Sequence, residues 1–114
     1  LASDLPAGVD LSKAKAWGIA VGDGSAIQDS YNLESITDVG TGNIKWTWAI
    51  PFKADDSYCV QATALTNTTS TFVMALGGTN HNRHFVSTTS YNASGSAVDT
   101  DLTMIVVYGE LENE

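Results

Sequence analysis

Disulfides are excluded at the outset. The 114 residues contain a single cysteine, Cys59, so no internal bridge can close. The fold must be held by a buried core, and a chain of this length buries about 65% of its unfolded surface. Basic side chains are scarce, with five Lys and Arg against 13 Asp and Glu and a formal net charge of −8. Such a balance disfavours a nucleic-acid phosphate backbone and an anionic membrane as partners. No apolar run reaches the 18 residues of a membrane-spanning helix, so membrane insertion is not expected. No signal-peptide pattern is visible, and a start at Leu1 rather than Met is expected of a fragment or a processed domain.

Helical patterning is missing too. No stretch repeats its apolar residues at three and four with capping residues at its ends. There is no solenoid or propeller repeat. What is present is alternation. Ile44, Trp46, Trp48 and Ile50 fall on one side of a strand, with Lys45, Thr47 and Ala49 on the other. Before them, Leu33, Ser35 and Thr37 alternate with Glu34, Ile36 and Asp38. The two runs flank Val39-Gly40-Thr41-Gly42-Asn43, where glycine lets the chain reverse. Pro51 should end the second strand, because proline cannot donate to a sheet ladder.

Further strands are predicted at 14–21, 58–65, 72–76, 84–89 and 98–111. In the first, Ala16, Gly18 and Ala20 share one face and Trp17, Ile19 and Val21 the other. The last is apolar on both faces from Leu102 onward, as expected of a strand central in a sheet or covered on both sides. It would place Asp99 and Asp101 on one strand face. Loops rich in Gly, Ser, Thr and Asn separate these runs. The expected architecture is all-β, an antiparallel β-sandwich that is jelly-roll-like or barrel-like. Residues 14–114 form that single domain. Residues 1–13 read as a linker or a strapping segment, given Leu1, Leu5, Val9 and Leu11.

Chemistry is thinly represented. No Gly-x-Ser-x-Gly elbow occurs, and no Ser/His/Asp set can be argued from spacing. Gly22-Asp23-Gly24-Ser25 lacks the further acids of a calcium loop and reads as a turn. Cys59, inside a strand, is expected to be a buried, inert thiol. Asp55 and Asp56 suit turn capping. Glu110, Glu112 and Glu114 read as a solvating acidic end. The only histidines are His81 and His84. Histidines three apart can share a metal, but no third ligand is evident, so no metal and no cofactor are expected. The loop Asn80, His81, Asn82, Arg83 and His84 is a candidate ligand contact, against the plainer reading of a solvated loop with Arg83 in a local ion pair. Tyr91, beside Asn92 in a polar loop, is the candidate for stacking on a sugar.

Several strings carry a resemblance: Lys15-Ala16-Trp17, Gly22-Asp23-Gly24, Ser30-Tyr31-Asn32-Leu33-Glu34-Ser35-Ile36-Thr37-Asp38, Val39-Gly40-Thr41-Gly42 and residues 46–50 and 58–60. Together they resemble a module near the C-terminus of tail-fibre and other virion structural proteins of tailed bacteriophages, marine phages especially. The likeness covers somewhat over a third of the chain. It departs from the pattern after Trp17 and does not extend to residues 66–97. It implies a non-enzymatic, homotrimeric component at the surface of the phage particle, in a tail fibre or on the capsid. Its partners would be itself and other virion proteins. The expected function is host-surface glycan attachment through loops 67–70, 80–84 and 90–96. The alternative is a purely structural role, as a capsid decoration or fibre-trimerising domain.

Overall fold

The computed structural model describes residues 12–66, 71–75 and 80–114. The expected N-terminal strap, save for Ser12 and Lys13, lies outside these residues, as do positions 67–70 and 76–79 with the expected contact loop 67–70 and the end of the expected strand 72–76. Eight strands are present: β1 Ala16–Val21, β2 Ile27–Tyr31, β3 Leu33–Gly40, β4 Asn43–Trp48, β5 Tyr58–Leu65, β6 Thr71–Ala75, β7 Phe85–Asn92 and β8 Leu102–Gly109. They form two packed four-stranded sheets, ordered β2-β1-β8-β5 (sheet A) and β3-β4-β7-β6 (sheet B). All pairings are antiparallel. The all-β expectation therefore holds, as a two-sheet sandwich with β8 central in its sheet.

The alternation in β4 decides the core. Ile44, Trp46 and Trp48 are essentially fully buried between the sheets. Their bulk needs a shallow surface opposite, and β1 supplies it with Ala16, Gly18 and Ala20. A Cβ at Gly18 would lie 2.9 Å from the Trp46 ring. No methyl fits there unless the indole moves. Trp46 also donates its indole N–H to Thr88 Oγ1 at 2.9 Å, so its polar edge is satisfied. Val86, Ile105, Val107, Phe52, Tyr58 and Leu111 complete the core.

With the small side chains of β1 turned inward, Trp17, Ile19 and Val21 face outward. They pair across the sheet with Val106, Met104 and Leu102, which are opposed in turn by Gln61, Thr63 and Leu65. Inward on β8 are Thr103, Ile105 and Val107.

Two crossings between the sheets are clipped by side chains. Asn32 stands between β2 and β3 with φ of 54°, a left-handed conformation that Asn tolerates. Its amide accepts from the Ile50 N–H at 2.7 Å and donates to the Ile50 carbonyl at 3.1 Å. Gly42, with φ of 71°, lies under the loop leading into β8. A Cβ there would meet the Val98 carbonyl oxygen at 2.4 Å, and its N–H donates to Asp99 Oδ1 at 2.7 Å.

Several expectations need correction. β8 starts at Leu102, so Asp99 and Asp101 precede the strand and share no strand face; Asp99 instead caps the Gly42 turn. β4 ends at Trp48, and Ile50 is exposed rather than on the buried face. β7 extends to Asn92, which places Tyr91 and Asn92 in a strand and not in a loop. Cys59 is exposed, because it alternates with buried Tyr58 on the edge strand β5. The acidic end is not merely solvated. Glu110 pairs with Lys53 at 3.0 Å, Glu112 with Arg83 and Glu114 with Lys15. Phe52 bridges Leu111, so these acids are carried to the cations by backbone pairing.

Candidate functional site

The residues at 80–84 lie at one end of the sandwich, where β7 begins. Most of their polar groups are engaged with the protein itself. Asn82 Oδ1 accepts from the N–H groups of His84 and Phe85, at 2.8 and 3.2 Å. Arg83 donates Nε–H to the Phe52 carbonyl at 3.2 Å, its guanidinium pairs with Glu112, and its backbone N–H donates to Asp55 Oδ1 at 3.0 Å. Asp55 thus caps a distant loop. His81 stacks on Tyr58, with ring centroids 4.6 Å apart. Asn80 and His84 are exposed.

Tyr58 ties this end together. Its ring stacks on Phe52 at 4.3 Å and meets the edge of Trp48 at 5.9 Å. Its hydroxyl lies 2.7 Å from the Asn82 carbonyl and 3.1 Å from that of Phe85. Burial pushes its phenol up to about 12. The aromatic box therefore joins β5 of sheet A to the start of β7 in sheet B. Among the described residues, no three His, Cys, Asp or Glu side chains are grouped to hold a metal ion.

Tyr91 and Asn92 lie at the opposite end of β7. Tyr91 stands six positions along the strand from Phe85, a distance of roughly 20 Å, so the sequence-predicted site divides into two places. Asn92 is engaged internally: its Oδ1 accepts from the N–H groups of Ser94 and Ser96, both at 3.0 Å. Tyr91 differs. It points to the outer face of sheet B, where its ring stacks on Phe72 of β6 at 5.7 Å and 29°. Phe72 is 49% exposed and Met74, two residues on, 53%.

The surroundings of this ring pair are polar. Ser87 and Thr89 follow Tyr91 along the same face of β7 but are buried beneath their neighbours on β4 and β6. Lys45, paired with Ser87, sets its ammonium 4.0 Å from the centre of the Phe85 ring. The face is thus a Ser/Thr floor with aromatic rings at both ends and a cation beside one. Sequence reasoning found Tyr91 but missed Phe72, Met74 and Phe85. The signal was the outward alternation of Phe85, Ser87, Thr89 and Tyr91, hidden by ending the strand at residue 89.

At the rim between the sheets, Asp23, Asp38 and Asp99 line a polar hollow. Asp23 accepts from the Ser25 N–H at 2.9 Å, and its hydrogen bonds with Ser25 hold its carboxyl below the usual range. Asp99 is held by Gly42, so two of the three acids already act as turn caps.

Comparison of the chain with models of protein families, with curated proteins and with solved structures found no match.

Proposed function

We propose that the chain is a non-enzymatic component of a phage particle, a tail-fibre or fibre-tip domain. In this reading it assembles as a homotrimer alongside other virion proteins and attaches to a host-surface glycan. The observation that carries the attachment is the half-exposed Phe72–Tyr91 ring pair on the outer face of sheet B. One face of a pyranose is a plane of C–H groups with hydroxyls around its edge. Stacked rings cover such a plane and leave its hydroxyls to the solvent. Covering about 100 Å² of apolar surface is worth ~2–3 kcal/mol. That is a weak single contact, so useful attachment depends on several linked copies. A trimer supplies them.

The test is binding of the full chain to a glycan array, alongside Tyr91→Ala and Phe72→Ala. The expected result is a glycan signal in the parent that both variants lose while their melting temperatures stay close to it. Retention of the signal by both variants removes the ring platform from the reading. A purely structural role has its own support, since Asn82, Arg83 and Asn92 are engaged internally. A parent that binds no glycan but forms a trimer favours it.

A further inference from the structure

We infer that the outer face of sheet A is a self-association surface, and that its occupant is a second copy of this chain. The inference names the assembling surface of the module proposed above and rests on that reading only for the number of copies. Its starting point is an inversion. On β1 the larger apolar side chains Trp17 and Ile19 point away from the core, because Trp46 and Trp48 fill it against Ala16, Gly18 and Ala20, and Met104 and Val106 of β8 lie beside them. Val21 and Leu102 continue the patch to Leu65, which is 53% exposed. A shallow groove of about 420 Å³ crosses it between β5 and β8.

Charge selects the occupant. The chain carries −8, so two copies repel through most orientations. On the outward positions of β1, β5 and β8 there is no Asp, Glu, Lys or Arg; the polar residues there are neutral, such as Gln61 and Thr63. Two such faces can meet without burying a charge. Acids begin only at the border, with Asp29 opposite Ile19 on the edge strand β2. An uncharged apolar centre with a polar rim is the anatomy of an interface core. The size also fits. Three to four strands at ~4.8 Å spacing and about 24 Å of length cover some 350–460 Å² on each copy, which suits a weak, concentration-dependent association below the ~1,000 Å² total of a stable interface.

The experiment is sedimentation equilibrium of the full chain over micromolar to submillimolar concentrations. Met104→Asp and Thr63→Arg are run beside it, with far-ultraviolet circular dichroism to show that each is folded. The parent is expected to associate to a multiple of 12.0 kDa. Both variants are expected to associate ~100-fold or more weakly, because each buries an unpaired charge. Tryptophan emission gives a second reading without substitution. Trp46 and Trp48 are already buried, so a blue shift on concentration reports Trp17. A parent that stays at 12.0 kDa overturns the inference, as does an oligomer that both folded variants leave intact. A monomer whose Trp17 is shielded at every concentration overturns it too, since the face is then covered within the chain. A dimer supports the surface while removing the trimeric fibre reading. Loss of glycan binding with association intact removes only the attachment reading.

Discussion

The outer faces of the two sheets are made of opposite materials. Sheet A presents branched aliphatics, methionine and Trp17, and its three strands β1, β8 and β5 carry no outward charge. Sheet B presents Lys45 and Thr47 over buried Ser87 and Thr89, with rings at the ends of β7. Yet the inner faces are inverted in the other sense. Sheet B supplies the two buried indoles and sheet A the small residues beneath them. The difference teaches that hydrophobicity alone does not orient a strand. On β1 the more apolar face looks outward, because only Ala and Gly fit under Trp46.

The sharpest way to break this comparison is to exchange the roles of the tryptophans. Trp46→Ala leaves a cavity and an unpaired Thr88 hydroxyl, and should cost ~3–5 kcal/mol in urea unfolding. Trp17→Ala, on the outer face, should cost about 1 kcal/mol or less in the monomer. Equal losses would show that the orientation of β1 assigned here is wrong.

A smaller effect probes the seam where the sheets meet. Tyr58 has its phenol raised from 10 to about 12. In the unfolded chain it ionises first, so the unfolded state holds fewer protons between these values and stability falls as pH rises through them. The contribution is fully present below pH 10, and up to about 2–3 kcal/mol is lost by pH 12. Denaturant midpoints across that window should drop for the parent and flatten for Tyr58→Phe. That variant also frees the Asn82 and Phe85 carbonyls, so it starts from a lower value.

Next comes Gly18→Ala. Its new methyl meets the Trp46 ring at 2.9 Å, and a loss of ~1–3 kcal/mol is expected. A neutral or stabilising outcome would mean that the sheets can separate slightly at no cost. The smallest effect belongs to the outer face of sheet B. Lys45→Met removes the ammonium from the Phe85 ring and should change stability by about 0.5–1 kcal/mol or less. A larger loss there would make that face structural rather than free for a ligand.

Much of the fold was legible in the residues. Period-two alternation placed β4 and β5 closely, and the Gly40–Gly42 reversal joined β3 to β4 as read. The site was legible only in part. Tyr91 stood out, but its partner Phe72 lies 19 positions away and is brought to it by the β6–β7 register. The histidine loop looked free because its partners, Asp55, Phe52 and Glu112, come from distant segments. Cys59 was misjudged for a related reason. An apolar strand at a sheet edge exposes every second residue, and nothing local says which strand is the edge.

By itself, the sequence determined that this chain is all-β, that Trp46 and Trp48 share one buried face, and that glycine must stand where the chain reverses. Those are local consequences of side-chain alternation and backbone sterics. Only the tertiary structure decided that β1 turns its small face inward, that β8 leaves Met104 and Val106 outside, and that the terminal glutamates pair with Lys53, Arg83 and Lys15. A strand apolar on both faces carries no preference of its own. The volume of the residues facing it across the core makes the choice.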